Sequence, residues 1–298
     1  MDEKDTVGAV EIGGRTRLCG LIGNPVEHTL SPMIHNTLAA ACGCDMAYLP
    51  FLVEKEVLGA AVKGAYALNV LGLNVTVPYK MAVIPYLVST DKLAADVESV
   101  NTLVRTEGGY RGYNTDMSGL YRAMQEDKVE IKDRDVVILG AGGAARAVLG
   151  GLYQLPGVRE ILLCARREEQ ARELAARVRP LEDEHRPRTA PLPEVHVLPW
   201  DIRHEAGADL IVNTTPAGLE GTSPLTGFPR SGTGLAYDLV YFRTPFLDAA
   251  EAAGWKTLNG RDMFANQGGA QFTLWTGFPL PDAAFRAMDE AIARHVPL

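Results

Sequence analysis

The stretch "VVILGAGGAARAVLGGLYQL", which begins at Val136, constrains the fold of this chain more than any other. Its two apolar runs on either side of a glycine-rich segment are typical of a strand, a tight turn and a helix in immediate succession. Gly140, Gly142 and Ala145 follow the pattern G-x-G-x-x-A in that context, which predicts dinucleotide binding. The glycines let a pyrophosphate approach the backbone, and the N-terminus of the helix offers it unpaired N–H groups and a positive dipole. The predicted cofactor contacts in this stretch are Gly140, Ala141, Gly142, Gly143, Ala144 and Ala145.

The end of the next predicted strand, "ILLCA", bears on the choice between NAD and NADP. NAD enzymes commonly place an acid there for the ribose hydroxyls, whereas an arginine accommodates the additional phosphate of NADP. Arg166 and Arg167 follow this strand, and a guanidinium suits a phosphate well. Glu168 and Glu169 come directly after them and keep NAD, or the use of both cofactors, open. We predict NADP as the cofactor and NAD as the alternative; a third interpretation treats both arginines as solvated residues at the start of a helix.

Short apolar runs and amphipathic segments alternate from Arg17 onward, which is the βαβ rhythm of an α/β protein. "RLCGLIG" and "MAYLPFLV" predict strands, and "SPMIHNTLAAACG" between them predicts a helix with Ser31 as its N-cap and Gly43 as its stop. "NTLVRTEGGYRGYN" predicts a hairpin around Gly108 and Gly109. The charged stretch "KVEIKDRD" predicts a linker. A chain of 298 residues is long enough for two domains, so we predict an N-terminal α/β domain and a doubly wound domain of the Rossmann type.

Other segments carry simpler expectations about secondary structure. Residues 81–100 are predicted to form a helical stretch. Residues 180–199 hold several prolines and mixed charges, which predicts a loop or a long irregular connection around "EVHVL". "PFLDAAEAAG" predicts a helix that ends at Gly254, and the tail from Asp262 onward is helical in pattern with a break at "TGFPLP".

Charge and composition exclude several classes of partner. The formal net charge of −8 argues against nucleic acid or an anionic membrane as a partner, because no basic stripe offsets the acidic excess. The acidic start "MDEKDTVGAV" does not resemble a secretory signal, and no apolar run approaches the length of a membrane span. The four cysteines lack C-x-x-C spacing, which predicts buried, reduced thiols and a cytoplasmic location. No group of His, Cys and carboxylate residues has ligand spacing, so we expect no metal, and small molecules are the expected partners.

The stretch "NVTVPYK", residues 74–80, places a lysine just after a strand. The residues before Pro78 favour a strand, and Pro78 ends its hydrogen-bonded ladder. Reduction of a carbonyl by a nicotinamide needs a proton donor for the developing alkoxide, and the reverse reaction needs a base for the alcohol. Lys80 can serve in both directions, and Asp116 is the natural carboxylate to orient it and to support its charged form. The alternative interpretations are a solvated lysine on a turn and a first-turn acid on a helix.

Six motifs stand in one order along the chain: "NPVEHTLSP", "NVTVPYK", "SVNTL", "GYNTD", "GAGGAARA" and "VNTTPAG". Together they resemble the shikimate dehydrogenase family, which includes the quinate/shikimate dehydrogenases, and the similarity runs over residues 18–277. The resemblance implies a reversible, NADP-dependent interconversion of shikimate and 3-dehydroshikimate, a step of aromatic amino acid biosynthesis. It also implies a substrate-binding catalytic domain at residues 1–120 and 262–298, and an NADP-binding Rossmann domain at residues 121–261.

The resemblance implies roles for individual side chains as well. Lys80 and Asp116 match the family's catalytic pair, with Lys80 exchanging the proton of a ring hydroxyl while hydride moves to or from the nicotinamide. Thr29 and Ser31 match two hydroxyls that hold the substrate carboxylate. The remaining implied substrate-binding residues are Asn74, Thr76, Asn101, Tyr241 and Gln267, and the remaining implied cofactor contacts are Thr214 and Met263. Simpler interpretations treat Ser31 as an N-cap, the two asparagines as partners of local backbone groups, and Tyr241 as a core ring.

Departures from the family's usual pattern leave the substrate open. Thr29 stands where the family usually has serine, and its added methyl narrows the carboxylate site; variation here accompanies quinate use in some relatives. Arg261 and Asp262 add two charges after the Rossmann domain, and the connection after Tyr241 is short. The alternatives are an NAD(P)-dependent quinate/shikimate dehydrogenase and a non-catalytic quinate or shikimate sensor on the same fold, while the polar groups of the first half disfavour a bare nucleotide-binding module. The expected assembly is a monomer or a homodimer.

Overall fold

The computed structural model of the protein describes residues 12–127, 129, 133–155, 157–178, 192–225, 227–229 and 234–296. Residues 128 and 130–132 of the predicted linker "KVEIKDRD", and residues 180–191 of the predicted loop, lie outside the described residues. The chain divides into two compact units. The first unit takes the described residues of Met1–Ala94, Ser99–Thr115 and Gln267–Pro297, and the second takes Ala95–Glu98 and the described residues of Asp116–Asn266.

Strands and helices alternate along the chain. The strands are β1 (Arg17–Gly23), β2 (Met46–Leu52), β3 (Gly72–Val75), β4 (Ser89–Thr90), β5 (Thr102–Thr106), β6 (Gly109–Tyr113), β7 (Arg134–Leu139), β8 (Val158–Cys164), β9 (Glu194–Leu198), β10 (Leu210–Asn213), β11 (Leu235–Asp238) and β12 (Lys256–Leu258). The helices are α1 (Ser31–Ala41), α2 (Leu58–Ala67), α3 (Lys92–Val97), α4 (Thr115–Glu126), α5 (Gly143–Gln154), α6 (Glu168–Arg177), α7 (Pro245–Ala252), α8 (Arg261–Thr276) and α9 (Asp282–His295). Short 3-10 helices lie at Lys55–Val57, Ile84–Tyr86, Trp200–Glu205 and Pro216–Glu220.

The sheet of the first unit has the strand order β2-β1-β3-β5-β6-β4. β1 runs parallel to β2 and β3, whereas β5 runs antiparallel to both β3 and β6. The carboxyl ends of β1 and β3 therefore lie at the same edge as the amino end of β5. Asn74, near the end of β3, pairs with Thr102 at the start of β5. The predicted substrate-binding residues of this unit come from β3 itself, from the segments that follow β1 and β3, from the segment that precedes β5, and from α8.

A buried apolar cluster explains why these runs form strands. Leu73, Val75 and Leu103 are at most 2% exposed, and they pack in one cluster with Tyr110. Burial of such a side chain contributes about 1.5–3 kcal/mol to stability. Gly72 at the start of β3 leaves room for the indole of Trp275 from α8, which donates to Leu103 O at 3.0 Å; a Cβ on residue 72 would overlap that ring. The C-terminal part of α8 is thereby fixed against this sheet.

The sheet of the second unit is parallel throughout and has the strand order β12-β11-β10-β7-β8-β9. When its strands are numbered along the chain, this is the order of doubly wound dinucleotide-binding domains. The order reverses between β7 and β10, and such sheets bind ligands at the carboxyl ends of the strands at this point. The glycine turn follows β7. The predicted fold class, an α/β substrate domain with a Rossmann-type domain, is confirmed.

Two predictions of secondary structure are wrong, and one strand was not predicted. The predicted helical stretch over residues 81–100 consists of a 3-10 helix at Ile84–Tyr86, then β4 and α3, because Pro85 lacks the N–H that a continuous helix would use. "EVHVL" is β9 and pairs in parallel with β8, a partner that is distant in sequence. The three residues of β12 pair in parallel with β11 and were not predicted, because so short a strand has no visible alternation.

The predicted helix ends at two glycines are confirmed, whereas the predicted N-cap at a serine is wrong. Gly43 and Gly254, just beyond α1 and α7, have φ of +63° and +81°, which confirms the predicted stops. Ser31 is not the N-cap of α1, because the helix begins at Ser31 and Leu30 occupies the capping position. The N–H of Ser31 donates instead to Thr29 Oγ1 at 3.2 Å.

Two expectations drawn from composition bear on the described residues. Cys19 and Cys164 are buried as predicted, whereas Cys42 and Cys44 are only partly buried. Burial raises the pKa of the Cys19 thiol to about 12, so this thiol is unreactive at neutral pH. In the part of the chain that the structure describes, no helix combines the length and apolar character needed to cross a membrane.

Candidate active site

The turn after β7 accepts only glycine at its first position. Gly140 has φ +117°, and its N–H donates to Cys164 O at 2.8 Å. A Cβ on residue 140 would collide with Thr214 Oγ1, which donates to Leu139 O at 2.7 Å. Both the backbone conformation and the packing therefore exclude a side chain. The predicted contact Thr214 lies directly against the turn.

The start of α5 fits a bound pyrophosphate. Gly142 occupies the N-cap position with extended backbone, and a Cβ there would meet nothing within 4 Å. Ala145 is fully buried, which fixes the first turn of the helix, while Ala141, Gly143 and Ala144 are partly buried. The backbone N–H groups of the first turn of α5 lie beside this open space. A pyrophosphate would meet these donors and the positive end of the helix dipole.

The end of β8 carries the residues predicted to select the cofactor. Arg166 and Arg167 are exposed, and α6 begins directly after them. Glu168 forms an ion pair with Arg172 one turn along α6, so its carboxylate already has a partner. Glu169 is exposed. Two exposed guanidinium groups and one occupied carboxylate fit the additional phosphate of NADP better than the bare ribose of NAD.

A buried polar cluster joins the ends of β10 and β11, and sequence reasoning missed it. Asp238 is fully buried and accepts hydrogen bonds from Thr244 Oγ1 (2.7 Å), Val240 N (3.1 Å) and Asn213 Nδ2 (3.1 Å). Burial raises the pKa of the Asp238 carboxyl, and these three donors oppose that rise. Asn213 Oδ1 accepts from the N–H of Thr215 at 3.0 Å. The cluster fixes the loops that follow both strands, including the segment that carries Tyr241.

The predicted residues Tyr241 and Met263 lie near one another in the second unit. The Tyr241 ring stacks on Phe264 of α8, with 4.6 Å between ring centroids and 18° between planes. Met263 is buried, whereas Tyr241 is partly buried. Tyr241 therefore packs against a neighbouring ring without being fully buried, and both its role in the pocket and its interpretation as a core ring stay predictions.

Acidic side chains gather where α4 ends and α8 begins. Burial, Asp262 and Glu126 together raise the pKa of the Asp127 carboxyl. Asn266 Nδ2 donates to Glu126 Oε2 at 2.8 Å. Asp116 lies in the first turn of α4 and is 2% exposed, so this carboxylate is withdrawn from bulk water. The charge that Asp262 introduces therefore acts on its acidic neighbours in the same unit.

The first unit places Thr29 and Ser31 as a pair of hydroxyls just before α1. Thr29 Oγ1 donates to Ser31 Oγ at 3.1 Å and accepts the N–H of Ser31 at 3.2 Å. Both residues are partly buried. Each hydroxyl has a single hydrogen, so in this arrangement Ser31 can donate to a carboxylate oxygen, and Thr29 can do so once its O–H turns away from Ser31 Oγ.

Asn74, Thr76 and Lys80 lie on and just after β3. Asn74 is 4% exposed; its Oδ1 accepts from Tyr48 Oη at 2.5 Å, and its Nδ2 donates to Asn101 O at 3.3 Å. Thr76 is partly buried, and its N–H donates to Ile22 O at 3.0 Å. Lys80 is partly buried, and its carbonyl accepts the N–H of Val100 at 2.8 Å. The turn that carries the lysine is therefore tied to the segment that precedes β5.

Asn101 and Gln267 meet in a cluster of buried amides. Asn101 Nδ2 donates to Thr115 Oγ1 at 2.9 Å and to Gln267 Oε1 at 3.2 Å. Asn101 Oδ1 accepts the N–H of Thr115 at 2.8 Å. Gln271 Nε2 donates to Thr115 Oγ1 at 2.9 Å. The structure thus joins two residues that the resemblance names in distant segments of the chain, and Asn74 joins them through Asn101.

Four residues that are hydrogen-bonded to these amides were not predicted as site residues, namely His35, Tyr48, Thr115 and Gln271. Two of them had a visible signal. Gln271 stands four residues after Gln267 on one helix, so both point to one face, and Thr115 directly precedes Asp116. His35 and Tyr48 had none, because a histidine within an apolar helix and a tyrosine within a strand are typical core residues.

Metal ligands were not expected in this chain. Among the described residues, no group of three or more His, Cys, Asp or Glu side chains is placed to hold a metal ion. The candidate residues of the first unit are amides, hydroxyls and Lys80. Those of the second unit are the glycine turn, two arginines and the acids of α4 and α8.

Comparisons with known proteins give a consistent result. Residues 21–103 match the family described as shikimate dehydrogenase substrate binding domain. The chain is 38% identical over 283 residues to shikimate dehydrogenase (NADP(+)) of Thermosynechococcus vestitus, covering 92% of this chain and 94% of that protein. It is 40% identical over 292 residues to the protein of the same name from Moorella thermoacetica, covering 95% and 96%. A crystal structure of shikimate 5-dehydrogenase from Thermus thermophilus with NADP(H) and shikimate is similar at a TM-score of 0.78 and 33% identity, covering 94% of this chain and 100% of that one.

Proposed function

The chain belongs to the shikimate dehydrogenase family, and we propose that Lys80 and Asp116 perform the proton exchange of its reaction. The protein is an oxidoreductase that reversibly interconverts shikimate and 3-dehydroshikimate with NADP. The single observation that carries the proposal is that the partly buried Lys80 lies on the turn after β3, a strand whose Asn74 belongs to the buried amide cluster.

Lys80 takes the proton of the reacting hydroxyl as the carbonyl forms and returns it when the carbonyl is reduced. The bound nicotinamide supplies the hydride acceptor in one direction and the hydride donor in the other. Asp116, a buried carboxylate, supports the charged form of the lysine. A non-catalytic sensor would need neither group, which disfavours that alternative.

The substrate is held by hydroxyls and amides of the first unit. Thr29 and Ser31 bind its carboxylate: the hydrogen bond from the N–H of Ser31 to Thr29 Oγ1 fixes their spacing, and the O–H of Thr29 turns from Ser31 Oγ to the carboxylate. The remaining substrate contacts are Asn74, Thr76, Asn101, Tyr241 and Gln267. Residues 1–120 and 262–298 make up the substrate-binding catalytic domain.

The cofactor is held by residues 121–261, the Rossmann domain. The glycine turn and the start of α5 take the pyrophosphate, and Arg166 and Arg167 take the additional phosphate of NADP. Thr214 and Met263 complete the cofactor contacts. We place the protein in the cytoplasm as a monomer or a homodimer, with small molecules as its ligands and neither nucleic acid nor a membrane as a partner.

The test of this function is an assay of the purified protein with shikimate and with quinate, each against NADP and NAD. The absorbance of the reduced nicotinamide reports the rate. We expect the highest kcat/KM with shikimate and NADP. Turnover confined to quinate, or an absence of turnover with all four pairs, would contradict the proposed function.

One observation favours quinate as an alternative substrate, namely that residue 29 is a threonine. Its Oγ1 is engaged with Ser31, so the methyl is held in place rather than free to rotate away. We predict that Thr29→Ser raises the preference for shikimate over quinate, by on the order of tenfold for the loss of one methyl. The ratio of the two kcat/KM values measures this, with Thr106→Ser, at the end of β5, as the control. An unchanged ratio would reject a role for Thr29 in substrate choice.

A further inference from the structure

A continuous path of side-chain hydrogen bonds runs from His35 to Gln267 in the first unit. His35 Nε2 lies 3.2 Å from Gln271 Oε1. Gln271 Nε2 donates to Thr115 Oγ1 at 2.9 Å and to Gln267 Oε1 at 3.5 Å. We call these residues, with Asn101, the amide relay. Only Gln267 and Asn101 have a role in the proposed function.

The direction of the relay is set at one end by the backbone. The N–H of Thr115 can only donate, so Asn101 Oδ1 is the acceptor at 2.8 Å and Asn101 Nδ2 must be the donor. That amide nitrogen donates to Gln267 Oε1 at 3.2 Å. Gln267 therefore uses its oxygen within the relay, and its Nε2 group is the end that remains to meet a ligand.

His35 sets the direction at the other end. Gln271 donates through Nε2, so its Oε1 is an acceptor, and His35 must carry its hydrogen on Nε2 to donate to it. Burial lowers the pKa of His35 to about 3, although Gln271 and Asn74 partly offset this, so the ring stays neutral. Nδ1 then carries no hydrogen, and this buried atom has no hydrogen-bond partner among the described residues. Both ends of the relay thus agree on one arrangement of donors and acceptors.

The imidazole ring cannot turn to break this arrangement without losing its packing. It stacks on Tyr48 at 4.4 Å between centroids, and it lies 4.9 Å from the indole of Trp275. His35 is 1% exposed, and Tyr48 is itself held by its hydrogen bond to Asn74. A ring so confined presents one edge to Gln271.

We propose that His35 is a positioning residue for substrate recognition: through Gln271 it holds the Gln267 amide so that Gln267 presents N–H donors, not its oxygen, to an oxygen of the substrate. This inference rests on the proposed role of Gln267 in substrate binding. An amide that flipped would offer its oxygen to that same substrate atom; a carboxylate or carbonyl oxygen there would then face a second acceptor, and a hydroxyl would have to donate instead of accept. His35 therefore acts on the affinity for substrate while touching no substrate itself.

The test is a double-mutant cycle on KM for shikimate, with kcat and KM for NADP measured alongside. Gln267→Leu should raise KM for shikimate about tenfold, as expected for a lost buried hydrogen bond. His35→Phe keeps the stacking but removes the donor, and should raise it about fivefold with KM for NADP unchanged. The double variant should be no worse than Gln267→Leu alone, because both changes remove one contact.

Two further variants separate positioning from mere stability. His35→Gln offers an N–H at a similar reach and should restore KM for shikimate to within about twofold of the original. Tyr110→Phe is the matched control: it removes another buried hydrogen bond of this unit, from Tyr110 Oη to Val70 O at 2.8 Å, and should leave KM unchanged. If His35→Phe does not fold, Gln271→Met interrupts the relay at its centre and takes its place in the cycle.

Each outcome of the cycle has one meaning. The relay would be overturned if KM for shikimate in the double variant rose by the product of the two single effects, or if His35→Gln failed to restore KM. Either result would leave the proposed function intact. An unchanged KM for shikimate in Gln267→Leu would instead overturn the substrate-binding role of Gln267, and the relay with it. Non-additive effects with rescue and a silent control would support the proposal.

Discussion

Replacing Lys80 with alanine should lower kcat by on the order of a hundredfold or more, because the reacting hydroxyl loses its proton acceptor and donor. Lys80→Arg should be nearly as slow, since a guanidinium keeps the positive charge but does not give up its proton at neutral pH. The binding of shikimate should change little in both variants, because the proposal assigns most of the substrate contacts to hydroxyls and amides. Steady-state kinetics and calorimetric binding of shikimate measure the two effects separately.

Lys63→Ala is the matched control for this experiment. Lys63 is an exposed residue of α2 in the same unit and is assigned no part in the site. Its loss should leave kcat unchanged. Near-normal turnover in Lys80→Ala would rule out the assignment of Lys80, and a normal rate in Lys80→Arg would show that charge, rather than proton exchange, is what the reaction needs.

Removal of the two arginines after β8 should change which cofactor the enzyme prefers. We expect the double variant Arg166→Ala/Arg167→Ala to raise KM for NADP by on the order of a hundredfold, because two charge-assisted hydrogen bonds to the additional phosphate are lost. KM for NAD, which lacks that phosphate, should stay within about twofold. Initial rates at saturating shikimate give both constants.

Ionic strength and a control variant sharpen this second test. The arginines are exposed, so the preference of the original protein for NADP should itself fall as salt is added. Arg286→Ala removes another arginine, from α9 in the other unit, and should alter neither constant. An equal rise of KM for both cofactors would mean that the two arginines support the loop rather than bind the phosphate.

The features that the sequence predicted well are those fixed by neighbouring residues. The turn at Gly140 depends on a glycine at a position with positive φ, and the stops at Gly43 and Gly254 depend on the same property. β9 was missed because the prolines and charges of the surrounding segment resemble a loop, and only its pairing with β8 makes it a strand. A local sequence pattern does not show with which distant strand a segment will pair.

In the candidate site, too, single residues could be named from the sequence, but their contacts with distant residues could not. Asn101 and Gln267 were predicted singly, through the resemblance, but their hydrogen bond joins segments 166 residues apart. Asp238 escaped notice because its importance lies in three donors supplied by its surroundings, not in its own motif. His35 escaped for a similar reason: a lone histidine on a buried helix face looks the same in the sequence whether or not an amide lies beside it.

The collision between a Cβ at residue 140 and the Thr214 hydroxyl has a consequence for anyone who redesigns this protein. Retention of the nucleotide and discrimination between nucleotides are assigned to different stretches: the first begins at Gly140, where packing excludes a side chain, and the second carries two exposed arginines. Libraries that aim to switch the coenzyme can therefore leave residues 140–145 unaltered and vary residues 166–169 alone. We expect the same asymmetry in evolution: substitutions at residues 166–169 should change the coenzyme preference while the fold is kept.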